Sequence, residues 1–228
     1  MPPAQVRHAV LVHGAGGGGW EWEIWRRVLE ARAIACVCVD LEPVAAGLAA
    51  TTLDDYRNQV RLALKALPRP RALVGASLGG LLAASSAASA DALVLVNPLP
   101  PAHWSAQLPQ REWPDVVPWR RDARLASTRR ALADADDATA LFAFRRWRDE
   151  SGAVLRHAQS GVAVAVPQCP VLLVASELDE DVPADVSAAM AGAWGASLLR
   201  LPGSTHVGPL LGRDAASVAA QVVAWLRG

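Results

Sequence analysis

The sequence predicts an α/β protein: a doubly wound, mostly parallel six-stranded sheet with helices on both faces and a helical lid insert. Three observations carry this. Six short apolar runs recur along the chain, near-continuous rather than alternating, as strands buried on both faces are. Helical patterns separate most of them, which is the alternation that builds a parallel sheet. The alternation breaks once, over residues 98–167, where no convincing strand occurs.

The first run, residues 9–13, leads into His13-Gly14-Ala15-Gly16 and three further glycines, and a helix is expected over 21–33. The second run, 34–40, ends at Asp40. Its Cys36 and Cys38 point to one face of a strand and cannot bridge each other. With Cys169 they are too few for a disulfide framework, so reduced thiols are expected, and a Cys-x-Cys metal site lacks a second ligand pair. A helix is expected over 53–67, with Thr52 as N-cap, Asp55 completing the cap and Pro68 as the stop. The third run, 72–76, precedes an Ala- and Leu-rich helix over 78–90, and the fourth is 92–97. The fifth, 171–176, is followed by a helix over 183–194 with Pro183 in its first turn. The sixth is 197–201, and a helix over 214–226 closes the chain. The interruption opens with Pro98, Pro100 and Pro101 and holds ten arginines, and helices are expected near 122–133 and 139–149. Residues 1–97 and 168–228 are therefore expected to form one core, with 98–167 a lid rather than a second domain.

The chain has 22 basic and 22 acidic residues, so its formal net charge is zero. A nucleic-acid partner is not expected, because no basic excess is present to displace counterions. With 52% hydrophobic and 19% charged residues, the composition is the reverse of a disordered chain's. Residues 1–12 lack the basic-then-apolar pattern of a secretory leader. The uncharged stretch 72–90 is small and glycine-interrupted rather than greasy. A soluble, cytoplasmic protein with no membrane partner is expected, and nothing in the sequence sets an oligomeric state.

Gly75-Ala76-Ser77-Leu78-Gly79 is a Gly-x-Ser-x-Gly pentapeptide between an expected strand and an expected helix. A serine there sits on a sharp turn that exposes its hydroxyl at the carboxyl edge of the sheet, and larger residues in place of the glycines would clash. An incidental serine in a glycine-rich turn is the plainer alternative. The small residues after His13 can leave backbone N–H groups free for an oxyanion. That loop lacks the Lys-Ser/Thr of a P-loop. Asp40 could mimic a ribose-binding acid, but the dinucleotide context is missing. A merely flexible loop is the third option.

A serine needs a base, and the base an orienting carboxylate. Glu177-Leu178-Asp179 follows the fifth run, and His206 follows the sixth in Pro202-Gly203-Ser204-Thr205-His206. Ser77, Asp179 and His206 thus come in chain order, each in a loop after a separate parallel strand, and those loops share one sheet edge. Singly, Asp179 reads as a solvated charge beside Glu177, Glu180 and Asp181, and His206 as a structural histidine. Their joint occurrence argues against both readings. His8, His103 and His157 have no such context.

On these residues the chain resembles the α/β-hydrolase superfamily. The resemblance covers nearly the whole length outside the insert: His13-Gly14 and its loop, the turn at 75–79, the acid loop 177–183 and the His206 loop. It implies a compact α/β-hydrolase fold with Ser77 as nucleophile, Asp179 as acid and His206 as base. The oxyanion hole would be the N–H groups of Ala15 and Leu78, and Glu177 is the alternative acid. A narrower similarity, to the plant methylesterase and hydroxynitrile-lyase branch, rests on His13-Gly14-Ala15, Trp20-Glu21-Trp22, Val37-Cys38-Val39-Asp40-Leu41 and Tyr56. Ala76, where that branch often has His, and Glu42-Pro43 depart from it, so the triad carries over and the substrate does not.

The expected activity is hydrolysis of a small, largely apolar ester or thioester through an acyl-enzyme, with no metal and no organic cofactor. Two other classes stay open. One is a hydroxynitrile lyase or carbon–carbon-bond-cleaving enzyme using the same triad, disfavoured because the sole lysine, Lys65, lies outside the insert. The other is a ligand-binding protein that does no chemistry on this scaffold. Nine of the twelve aromatics are Trp, and seven of the nine lie just after the oxyanion loop or in the insert. An aromatic-lined pocket including Trp20, Trp104 and Trp147 is expected, with ordinary core packing as the alternative.

Overall fold

The structure, a computed structural model, describes residues 5–228. Residues 1–4, the start of the stretch read for a leader, lie outside them. In chain order, β1 (His8–Val12) leads through a 3-10 turn (Gly19–Trp22) into α1 (Glu23–Glu30) and β2 (Ala35–Val39). Then come α2 (Leu53–Lys65), β3 (Arg71–Ala76), α3 (Leu78–Ala84) and β4 (Ala92–Val96). Residues 98–167 carry α4 (Ala102–Ser105), β5 (Val116–Val117), α5 (Leu125–Ala131), α6 (Asp137–Phe144), β6 (Glu150–Ser151) and α7 (Gly152–Ser160). The chain returns through β7 (Val171–Ser176), α8 (Ala184–Trp194), β8 (Ser197–Leu201), α9 (Gly208–Leu211) and α10 (Ala215–Arg227).

Six strands form one parallel sheet in the order β2-β1-β3-β4-β7-β8. Burial on both faces holds for the four central strands, whereas the edge strands β2 and β8 leave residues exposed. An edge strand has only one neighbour, so its outer flank meets solvent. On one face Trp22, Trp25 and Leu29 pack with Val218, Val222 and Leu226 of α10. Trp22 and Trp25 meet edge-to-face at 5.3 Å, and the Trp25 Nε1–H donates to the Pro209 carbonyl at 2.7 Å. On the other face Tyr56, Val60 and Leu64 of α2 pack with Leu81 and Leu82 of α3. The Thr52–Asp55 capping box closes the start of α2, and such a cap contributes about 1 kcal/mol.

Three expectations need correction. The helix expected over 21–33 begins as a 3-10 turn and stops at Glu30, where the chain turns through Ala33 at φ 59°. The helix over 78–90 ends at Ala84, where the Ser85 hydroxyl donates to the Leu81 carbonyl, and a separate 3-10 turn follows. Residues 98–167 hold a two-residue antiparallel pair, β5 with β6, and four helices where two were expected. The missed helix α7 starts at Ser151-Gly152, which reads as a turn. There the Ser151 hydroxyl caps the Val154 N–H, and a side chain at 152 would strike the Pro114 carbonyl. Among the described residues no helix is long and apolar enough to cross a membrane.

Candidate active site

Ser77 sits between the end of β3 and the start of α3 at φ 51°, ψ −120°, a left-handed conformation that costs about 1–3 kcal/mol for a residue with a side chain. Flanking bonds hold it there: its N–H donates to the Val96 carbonyl at 3.0 Å, and its carbonyl accepts from Leu99 N–H at 3.0 Å. The glycines make the turn sterically possible. A Cβ at Gly75 would lie 2.2 Å from the Gly79 carbonyl oxygen, and one at Gly79 would lie 2.3 Å from that of Val12. The hydroxyl faces a cavity and, among the described residues, makes no hydrogen bond.

His206 and Asp179 reach the same cavity from the loops after β8 and β7. His206 Nδ1 and Asp179 Oδ2 lie 2.7 Å apart. The other Asp179 oxygen accepts the Asp181 and Val182 N–H groups at 2.8 and 2.9 Å. Burial pulls the His206 pKa down, but the charge and hydrogen bond of Asp179, with Asp181 and Glu21 behind, outweigh it and raise the net value. Glu177 pairs instead with Arg200 at 3.0 Å. Donor atoms of Asp179, Asp181 and His206 lie within 4.8 Å of one another, but both Asp179 oxygens are already engaged.

Two residues with no sequence signal of their own hold the His206 loop. Asn97, at φ 41° after β4, donates from Nδ2 to the His206 carbonyl at 2.8 Å and accepts from Ser176 N–H at 2.8 Å. Asp134, between α5 and α6, accepts from the Ser204 hydroxyl and from the Thr205 N–H. Asn97→Ala is expected to lower kcat on the order of 10²-fold with KM little changed, the cost of displacing a reacting group by about 1 Å. Steady-state kinetics check this, and an unaltered kcat would remove Asn97 from the account.

The loop after β1 is clamped from residues 148–150. The Gly16 N–H donates to Glu150 Oε2 at 2.9 Å, and Tyr56 OH donates to Glu150 Oε1 at 2.9 Å. Arg148 returns its N–H to the Gly16 carbonyl at 2.8 Å and its Nε–H to that of Gly17 at 2.6 Å. His13 Nδ1–H donates to the Gly14 carbonyl, while Nε2 accepts from Leu41 N–H and faces Arg148. Burial, helped by Arg148, pushes the His13 pKa down to about 4, so the ring is neutral. Among the described residues the Ala15 and Leu78 N–H groups have no protein acceptor; Leu78 opens α3, where an N–H has no intrahelical partner. Glu150→Ala removes the acceptor at Gly16 and is expected to lower kcat by ~10–100-fold, with Glu150→Gln intermediate; a kcat equal to wild type in both variants would discard the clamp.

The cavity measures about 1440 Å³ and is lined both by the core, at Gly14, Ala15, Ser77 and His206, and by residues 98–167. Trp147 lines it, joined by Trp113 and Trp119. Trp20 and Trp104 are not among its lining residues. Trp20 packs behind Trp147 at 5.3 Å, and Trp104 meets Trp194 at 6.3 Å. Glu21 also lines the cavity, a residue that sequence reasoning passed over.

A model of a family described as the alpha/beta hydrolase family matches residues 9–221. No curated protein matches the sequence. Among solved structures the chain is similar to a pyrethroid hydrolase from Sphingobium faniae JZ-2, with a TM-score of 0.75 and 19% identity over 97% of each chain. It is similar to polyneuridine aldehyde esterase, with a TM-score of 0.72 and 17% identity over 96% of this chain and 99% of that one. It is similar also to a methylesterase from Arabidopsis, with a TM-score of 0.73 and 15% identity over 96% and 98%. At these identities the likeness is one of fold.

Proposed function

The chain belongs to the alpha/beta hydrolase family, and on that premise we propose that it is a serine hydrolase of small, largely apolar carboxylic esters or thioesters. The observation that carries this is the 2.7 Å His206–Asp179 pair opening into the same cavity as a serine on a strained strand-to-helix turn. His206 Nε2 accepts the Ser77 proton as Oγ attacks the acyl carbonyl. The Ala15 and Leu78 N–H groups receive the developing oxyanion, each worth roughly 3 kcal/mol in a dry site. The leaving alcohol or thiol takes the proton from His206. Water then attacks the acyl-enzyme with His206 again as base, and Ser77 is restored. Asp179 holds the tautomer with Nδ1–H and stabilises the imidazolium.

Residues 98–167 act as a lid over the acyl group, and three tryptophans with few polar groups suit an apolar substrate. The likeness in fold to polyneuridine aldehyde esterase, a methylesterase and a pyrethroid hydrolase supports the ester class. The test is a panel of short- to long-chain, aryl and thio esters with product quantified. Acyl-chain-dependent turnover is expected, whereas tight binding with no product would establish a binding protein instead. Trp119, whose ring lies against Gly16, should tune preference rather than chemistry. Trp119→Ala is expected to shift the ratio of kcat/KM between bulky and small esters by ~10-fold, roughly 1.4 kcal/mol of differential contact. An unchanged ratio would place Trp119 outside the substrate's reach.

A further inference from the structure

Glu21 is the least expected group in the cavity. It lies in Trp20-Glu21-Trp22, is only 4% exposed, and makes no ion pair among the described residues. One oxygen, Oε2, accepts a long hydrogen bond from the Gly14 N–H at 3.4 Å. The other, Oε1, rests against Gly17, where a Cβ would come within 2.1 Å of it, so the glycine run leaves room for this carboxyl. Gly14 directly precedes Ala15, whose N–H is the oxyanion donor of the mechanism above.

We propose that Glu21 is a positioning residue of the Ser77 site that works as a neutral carboxylic acid, holding the oxyanion loop through Gly14 and shutting turnover down when it ionises. This rests on the serine-hydrolase reading. A buried carboxylate without a cation beside it is costly, so burial pushes the Glu21 pKa up to about 8; the Gly14 hydrogen bond and the charges of His206 and Arg148 only partly offset this. When the proton leaves for solvent, a negative charge appears one residue from the Ala15 N–H. That charge opposes the one developing on the substrate oxygen. It also holds the proton on His206, whose pKa a charged Glu21 raises.

Charged groups on the neighbouring elements have partners of their own, Glu150 with the Gly16 N–H and Tyr56 among them. The Arg148 guanidinium is engaged by the Gly17 and Leu41 carbonyls, His13 and Glu42. His13 at the end of β1 titrates near 4, and burial pushes the Cys38 thiol on β2 up to about 11. Asp40 accepts from the Gly19 N–H, Glu23 on α1 pairs with Arg26 and Arg27, and Asp134 is bound by Ser204 and Thr205. Among the groups whose pKa is displaced, Glu21 alone is brought to about 8, while the Cys36 and Cys38 thiols are pushed up to about 12 and 11.

The experiment measures kcat/KM for p-nitrophenyl acetate, fluorophosphonate labelling rate and Tm from pH 5 to 9.5, in wild type, Glu21→Gln and Glu21→Met. Wild type should give a bell whose alkaline limb is half-complete near pH 8 and then falls about ten-fold per unit. Glu21→Gln should keep the acid limb and hold its plateau to pH 9. Glu21→Met, neutral but unable to accept from Gly14, should also lose the alkaline limb, with kcat lowered several-fold at every pH. The folded state keeps a proton that the unfolded chain releases, so wild-type Tm should fall as pH rises from about 5 to 8, and both variants should flatten that fall. Alkaline limbs in both variants that match wild type would overturn the proposal, as would a wild-type Tm with the same pH dependence as theirs. Absence of turnover and of labelling in wild type at every pH overturns the serine-hydrolase reading, and with it the switch. The Tm difference still reads the buried carboxyl in that case, so the two failures are told apart.

Discussion

Ser77→Ala is expected to reduce kcat on the order of 10⁶-fold, leaving only the residual rate that an oxyanion hole and substrate binding provide without a nucleophile. The fold should be untouched. The Ser77 hydroxyl makes no hydrogen bond among the described residues, and alanine keeps the Cβ that already tolerates φ 51° at this turn. Stability should therefore stay within about 0.5 kcal/mol of wild type, the range of substitutions that break no named contact. Fluorophosphonate labelling should vanish in the variant and map to Ser77 in wild type. Persistent turnover with a wild-type Tm would mean that chemistry runs elsewhere, and labelling at another serine would say where. A variant that merely unfolds shows itself in the melt and is replaced by Ser77→Gly, which also relieves the positive φ.

The strands, the turn at Ser77 and the loops of Asp179 and His206 were legible because each is a local pattern of a few residues. An apolar run, a glycine at a fixed offset and a proline at a helix start each follow from nearby sterics. What escaped the sequence is carried by distant partners. Glu150 meets the Gly16 N–H across 134 positions and Tyr56 across 94, and Asn97 meets the His206 carbonyl across 109. No spacing rule links such pairs. The tryptophans divide by the same logic. Trp22, Trp25 and Leu29 share one side of the helical turn at i, i+3, i+7 spacing, the core packing left open as the alternative. Proximity to the glycine loop pointed the other way, and packing against α10 prevails. In residues 98–167, α7 does carry a helical apolar spacing, Val154, Leu155 and Ala158, which packs against α2 and α4, but its Ser151-Gly152 start reads as a turn and hid it. Glu21 was passed over because burial, not residue type, makes it unusual.

Asp179→Asn is expected to cost about 10⁴-fold in kcat with KM nearly unchanged, and the hydrogen bonds around Asp179 say why. Oδ1 accepts two backbone N–H groups, from Asp181 and Val182. An asparagine can serve them only with its carbonyl oxygen, because an amide N–H2 would face two donors. Its NH2 must then point at His206 Nδ1, where Oδ2 now lies at 2.7 Å. A donor there forces Nδ1 to accept, so the imidazole carries its proton on Nε2 and cannot take one from Ser77. The geometry survives and the tautomer is wrong, which is why kcat should fall while substrate still binds. The acid limb should move as well. Asp179 raises the His206 pKa against the lowering effect of burial, so losing its charge lowers that pKa and carries the limb to lower pH. Asp179→Ala should fall at least as far in kcat and also lose stability, since the buried Val182 N–H is left without an acceptor, roughly 1–3 kcal/mol, and the half-buried Asp181 N–H loses its partner as well. Should Asp179→Asn keep activity within about ten-fold of wild type, while Glu177→Gln loses it, the orienting carboxylate would be Glu177 and the loop would have to rearrange on substrate binding. The Glu177–Arg200 pair at 3.0 Å argues against that, because moving Glu177 to His206 would break it.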